Sequence, residues 1–317
     1  MTALNLRILR GLFGTIDHVA PSLAGRLAFR LFCRTPSPQK LTEKEKRLLS
    51  KAQNFMNSAR RHSLTTEHGR VAAYEFTNWG GRRDGPTVLV LHGWRSRTEH
   101  MRAIIEALLE RGFRVVSLDL PGHGSSGGRV LNIPKAVAAV QSAAQWLGPF
   151  DAMVGHSFGG AVALNAVAGS IDGIPPVPVR RLVMIGAPNA LPDLFTQFGQ
   201  FLKLSPKAQD VFEGRGEIIA GTPLSSFVGR DQLSALDIPT LIVHAPDDKE
   251  VPATDARAMA AAGRHVSVTW APGLGHRRIL ADPGIAARVA AFVATRKLRR
   301  EDVPLMRPLE KHLPIPN

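Results

Sequence analysis

Along most of the chain, short apolar runs alternate with segments in which apolar residues recur every three or four positions. The runs are VAAYEF (71–76), TVLVLH (87–92), RVVSLDL (114–120), DAMVG (151–155), RLVMIG (181–186), PTLIVHA (239–245) and VSVTWA (266–271). Short, and rich in Val, Ile and Leu, they predict β-strands. The segments between them, about 98–111, 133–147, 158–169, 253–262 and 283–296, carry the period of amphipathic helices. This alternation predicts an α/β fold: a mostly parallel sheet covered by helices on both faces.

Two regions break the rhythm. Residues 1–62 read as a helical arm. Leu4, Ile8, Leu9 and Leu12 recur at helical spacing beside Arg7 and Arg10. Leu23, Leu27 and Leu31 then form one row, and Arg26, Arg30 and Arg34 another. Prolines at 36 and 38 separate this part from a charged helix over about 42–60. The arm is read as packed on the main domain, with peripheral contact to an anionic membrane surface as the second reading. The other break is the long interval 187–238 between two strands. There Leu191, Leu194, Phe195, Phe198, Phe201 and Leu202 share one helical face, and Phe212 and Phe227 follow. Five of the chain's 14 phenylalanines lie in this interval, enough for a small core of its own or the roof of an apolar pocket. The layout is therefore an arm (1–62), a core (63–188 and 239–296), a cap (189–238) and a basic tail (297–317).

A chain of 317 residues with 44% apolar content can bury a substantial core. No apolar run reaches the roughly 18 residues needed to span a bilayer, and the N-terminus lacks a secretory pattern. The single cysteine, Cys33, cannot form an internal disulfide, so the expected location is the cytoplasm. The net charge of +14 suggests nucleic acid until it is mapped. Residues 1–70 hold 13 Lys/Arg against 4 Asp/Glu and residues 296–317 hold 6 against 3, whereas the middle carries 21 against 19. With the charge at the ends and no zinc, helix-turn-helix or RNP pattern, nucleic-acid binding is not expected. No cofactor is called for, and no His and acid cluster at metal-ligand spacing is present.

The chemistry concentrates in Gly155-His156-Ser157-Phe158-Gly159, a G-x-S-x-G sequence between a strand and a small-residue helix. Such a turn exposes the serine hydroxyl, and the glycines leave room for close packing. The helix N-terminus then directs N–H groups towards a developing oxyanion. Serine needs a base and an orienting acid, which in this arrangement follow it in the chain. Of 11 histidines, only His276 lies on a loop beyond the last strand, in WAPGLGHRRIL. His92 and His123 precede the serine, and His156 is expected to point away from it. The acid is sought in APDDKEVP (245–252), where Asp247 and Asp248 leave a strand on opposite sides.

LHGW (91–94), DLPGHGSS (119–126), GHSFGG (155–160) and GLGH (273–276), in this order, resemble the α/β-hydrolase fold over about residues 70–296. More narrowly, the chain resembles esterase-like bacterial serine hydrolases with an N-terminal helical arm and a GLGHRRIL ending. The resemblance implies a mostly parallel sheet of about eight strands, a cap in the long interval and an acid in the pattern Asp-x-x-Val-Pro. Counting back from Val251, that selects Asp248 and leaves Asp247 as a loop cap. It implies that the backbone N–H groups of Trp94 and Phe158 form the oxyanion hole, and that Trp94 lines a substrate pocket, with Phe195 and Phe198 contributing from the cap. The expected activity is cleavage of a carboxylic ester or thioester of a small to medium apolar substrate through Ser157, His276 and Asp248 and an acyl-enzyme. Acyl transfer, carbon–carbon bond hydrolysis and a non-catalytic binding role are the alternatives. Ser157 in place of an aspartate argues against displacement at an sp³ carbon.

Overall fold

The computed structural model describes residues 3–37, 41–77 and 85–295; Pro38 and the tail 297–317 lie outside them. The chain begins with helices α1 (Ala3–Val19), α2 (Pro21–Phe32) and α3 (Glu43–Asn57). Strands β1 (Arg60–Thr66), β2 (Gly69–Phe76) and β3 (Thr87–Leu91) follow, then α4 (Arg102–Glu110), β4 (Arg114–Leu118) and α5 (Ile133–Leu147). Next come β5 (Ala152–His156), α6 (Phe158–Ala168) and β6 (Arg181–Ile185). Three helices, α7 (Leu191–Leu202), α8 (Pro206–Ala220) and α9 (Gly229–Ser234), intervene before β7 (Thr240–His244). The order closes with α10 (Ala253–Ala260), β8 (Val266–Trp270), α11 (Gly275–Arg278) and α12 (Pro283–Ala294).

Eight strands form one sheet in the order β1-β2-β4-β3-β5-β6-β7-β8. The β1–β2 and β2–β4 pairs are antiparallel and every other pair is parallel. Because successive side chains point to opposite faces, the continuous apolar strands feed two cores at once. On one face Leu89, Leu91, Val116, Met153, Leu182, Met184 and Ile242 pack with α5, α6 and α10. On the other, Val88, Val90, Val115, Val154, Val183, Ile185 and Val243 pack with α4 and α12. Both faces are covered, as the strand composition requires.

The N-terminal region differs from its sequence reading in two respects. The helix expected to reach residue 60 ends at Asn57, and Arg60–Thr66 forms an edge strand, so sheet structure begins three residues before the expected core boundary. That strand, RRHSLTT, buries only Leu64, and its other side chains suit a solvated sheet edge. The docking face of the arm, which the sequence reading left open, centres on small residues, with Leu27 and Leu31 packed beside them. In α2 the buried residues are Ala24, Gly25, Ala28 and Phe29, while Leu23 is 49% exposed and Leu27 and Leu31 are half-buried. A Cβ on Gly25 would lie 2.5 Å from the Ala208 carbonyl oxygen of α8. Backbones that close exclude leucine from the contact, so small residues carry it.

In α1, Phe13 is buried, but Ile8 and Leu12 remain 62% and 56% exposed. Polar bonds fix this helix to the cap. Asp17 accepts hydrogen bonds from the Ser205 backbone N–H and hydroxyl, each at 2.6 Å, and Arg10 donates to the Phe201 carbonyl at 2.7 Å.

Candidate active site

Ser157 occupies the single residue between β5 and α6, with φ 53° and ψ −123°. A non-glycine residue held there costs on the order of 1–3 kcal/mol, which surrounding structure must supply. The surroundings are visible. The Ser157 N–H donates to the Ile185 carbonyl at 2.8 Å. A Cβ on Gly155 would lie 2.2 Å from the Gly159 carbonyl oxygen, and one on Gly159 would lie 2.4 Å from that of His92. Both glycines of the motif are therefore required by close backbone approach, which seats α6 directly on the end of β3.

The loops after β7 and β8 meet beside this turn. Asp248 Oδ2 accepts a 2.7 Å hydrogen bond from His276 Nδ1, and Asp248 Oδ1 accepts bonds from the Glu250 and Val251 N–H groups at 2.7 and 3.0 Å. Burial pushes the Asp248 carboxyl up, but the Val251, His276 and Glu250 hydrogen bonds outweigh it and hold it below the usual aspartate value. Asp247 does other work: its carboxylate accepts the Gly273 N–H at 2.7 Å, tying the loop that carries His276. The His276 side chain is almost fully buried. Its Nε2 lies 3.8 Å from Glu250 Oε2, a carboxylate already bound to Arg277 at 2.9 Å. Among the described residues, no hydrogen bond joins Ser157 Oγ to His276 Nε2; the imidazole is held from the Nδ1 side by Asp248.

His156 turns away from the cavity, and its ring packs on that of His276 at 4.8 Å between centroids. It donates from Nε2 to the His276 carbonyl at 2.9 Å. Burial, then the His276 ring beside it, pushes the His156 imidazole down to about 3, so it is neutral in the working range. This contact anchors the backbone of His276 from the strand that carries Ser157, a link the sequence reading did not contain.

The loop after β3 is held in the same way. His92 Nε2 accepts the Leu120 N–H at 2.9 Å, and His123 Nε2 accepts the Arg95 N–H at 3.0 Å. Asp119, fully buried, accepts from the Thr98 and Ser125 N–H groups at 2.9 and 2.8 Å. A Cβ on Gly93 would come within 2.9 Å of the Ser157 Cβ, so this loop lies against the serine. Among the described residues, neither the Trp94 nor the Phe158 N–H is engaged by the neighbouring turns.

Ser157, Trp94 and Phe158 line one cavity of about 900 Å³. Phe195 and Phe198 from α7 line it too, and their rings meet Phe32 of the arm at 4.8 and 5.1 Å. Phe29 and Phe32 are therefore wall residues, which sequence reasoning missed. Their i, i+3 spacing in α2 was visible, but not the face that α2 would present across more than 160 residues of chain. Among the described residues, no cluster of three or more His, Cys, Asp or Glu is placed to hold a metal, and no helix is long and apolar enough to cross a membrane.

The sequence profile of the Alpha/beta hydrolase family matches residues 88–289. A pimeloyl-(acyl-carrier protein) methyl ester esterase of Xanthomonas campestris is 29% identical over 254 residues, covering 66% of this chain and 96% of the relative. A non-heme haloperoxidase of Rhodococcus erythropolis is 26% identical over 260 residues, covering 67% and 92%. Among solved structures, Est1E from Butyrivibrio proteoclasticus with bound ferulic acid superposes with a TM-score of 0.60 at 20% identity, covering 73% of this chain and 97% of that one.

Proposed function

Since the chain belongs to the alpha/beta hydrolase family, we propose that it is a serine hydrolase cleaving a carboxylic ester or thioester of a small to medium apolar substrate through Ser157, His276 and Asp248. The observation that carries this reading is the 2.7 Å Asp248–His276 pair on loops beside a strained serine that faces an apolar cavity. The named activity of the Xanthomonas relative, on a methyl ester, is in keeping with it.

In this reading Asp248 accepts the Nδ1–H of His276, which leaves Nε2 as the basic nitrogen. As the substrate enters, Ser157 Oγ turns to Nε2, gives up its proton and attacks the carbonyl. The N–H groups of Trp94 and Phe158 hold the oxyanion; losing one such donor costs about 3–4 kcal/mol of transition-state stabilisation. His276 then protonates the leaving alcohol or thiol, and water, activated by the same nitrogen, releases the acid. Trp94, Phe195 and Phe198 shape the apolar half of the pocket.

Wild-type protein is expected to turn over p-nitrophenyl butyrate and to be labelled by a fluorophosphonate probe. Ser157→Ala loses both while keeping its melting temperature within a few degrees. Wild-type protein that never labels, or Ser157→Ala protein that still turns over, refutes the reading.

A further inference from the structure

The walls of the cavity are not uniformly apolar. Arg34, Arg95 and Arg129 line it together with the phenylalanines of the arm and cap. The one carboxylate in the lining, Glu250, is already bound to Arg277 at 2.9 Å. None of the three guanidinium groups has an ion-pair or hydrogen-bond partner among the described residues. Elsewhere the chain does pair arginines, as in Arg97–Glu99, Arg102–Glu106 and Arg114–Glu75.

The backbone that carries these arginines is tied down. The Thr35 N–H donates to the Arg129 carbonyl at 3.1 Å and the Leu131 N–H to the Cys33 carbonyl at 2.8 Å. Residues 33–35 and 129–131 are thereby clamped side by side around the Arg34–Val130 bridge, and both Arg34 and Arg129 line the cavity from this pair of segments. Arg95 follows Trp94 on the loop that lies against Ser157 and takes a left-handed conformation, φ 57°. Its N–H is bound by His123, which fixes the point from which its side chain departs.

All three arginines are solvent-exposed, so their attraction for an anion is screened by salt, but three cations bordering one apolar cavity still raise the local concentration of an anion. A guanidinium also matches a carboxylate or phosphate in shape, donating two parallel hydrogen bonds. We propose that the cavity takes an amphiphilic ester or thioester whose apolar chain lies among Phe29, Phe32, Phe195 and Phe198 and whose carboxylate or phosphate group is held by Arg34, Arg95 and Arg129. The proposal rests on Ser157 as the nucleophile, since it places the anion relative to the scissile carbonyl. The anion belongs either to the acyl half or to the leaving half.

The test measures binding, so it does not depend on turnover. Ser157→Ala protein is titrated by calorimetry with methyl decanoate, which is neutral, with monomethyl sebacate, whose carboxylate lies in the acyl half, and with decanoyl-CoA, whose phosphates lie in the leaving half. At low salt at least one anionic ligand is expected to bind about tenfold or more tightly than methyl decanoate, and the tighter of the two identifies which half carries the charge. Adding Arg34→Gln and Arg129→Gln reduces that advantage about tenfold, Arg34→Lys with Arg129→Lys retains most of it, and added NaCl erodes it. Equal affinity for neutral and anionic ligands overturns the proposal, as does an advantage that neither salt nor the glutamine variant changes. Failure of the nucleophile reading looks different: the anion preference persists while wild-type protein resists the fluorophosphonate probe.

Discussion

Asp248 accepts three hydrogen bonds, from the His276 ring and from the backbone N–H groups of Glu250 and Val251, while its neighbour Asp247 accepts one from Gly273. The two carboxylates thus act on the same loop from opposite sides: one is aimed at the imidazole, the other at the backbone leading to it. In the proposed mechanism an amide at 248 no longer stabilises the imidazolium or fixes the tautomer. Asp248→Asn is expected to lower kcat by roughly 10⁴. Asp247→Asn keeps an oxygen for the Gly273 N–H and is expected to change kcat by less than about threefold. Steady-state kinetics on p-nitrophenyl butyrate decide it, and comparable losses in the two variants would remove the assignment of Asp248. The Asp248–His276 contact was legible through the resemblance, whose pattern Asp-x-x-Val-Pro counts back from Val251 to Asp248; strand geometry alone said only that one of the two aspartates would face the imidazole. The role of His156 was not legible. Its partner is a carbonyl 120 residues away, and nothing local marks that distance.

At the scale of elements, the cavity exists because two helices from the N-terminus close it against the cap. The joint is α2 on α8, where Gly25 brings the backbones together and Phe29 and Phe32 cluster with Phe195, Phe198 and Phe212 at centroid distances of 4.8–6.4 Å. A side chain at Gly25 would meet Ala208 and Val211. Gly25→Val is therefore expected to cost about 1–3 kcal/mol by overpacking and to open the arm to trypsin at its arginines. Gly11, on α1, has nothing within 4 Å of its Cβ position, so Gly11→Ala is expected to be neutral or slightly stabilising. A Gly25→Val protein with unchanged melting temperature and digestion pattern would show that α2 is not seated on α8. The parallel strands of the core were legible because burial on both faces leaves continuous apolar runs. The arm's contact face was not, because close helix packing selects Ala24, Gly25 and Ala28 over the leucine row that hydropathy makes conspicuous. Strand β1 escaped for the opposite reason: at a sheet edge, backbone pairing with β2 holds residues with little apolar character of their own.

The whole molecule answers to pH through histidines it has buried. His92, His100, His123, His156 and His244 all have imidazoles pushed below the usual value, in each case mainly by burial. They bind a proton less well in the folded chain than in the unfolded one. Below about pH 6.5, the ordinary imidazole value, the unfolded chain takes up protons that the folded chain refuses, so stability falls as pH falls. His156, shifted to about 3, alone accounts for about 1.4 kcal/mol at one pH unit below that value, and the penalty grows until its folded-state value is reached. Asp248 adds to the trend lower down, since its depressed carboxyl contributes stability that is lost on protonation. Glu99 and Asp255, raised chiefly by burial, act in the opposite sense. Two carboxyls do not offset five imidazoles. The urea midpoint is therefore expected to be flat from pH 8 to 7 and to drop steeply from about 6.5 to 5, and His156→Gln is expected to make the drop shallower even where it weakens the protein overall. A midpoint unchanged between pH 7 and 5 would mean that these imidazoles are not held neutral by the fold.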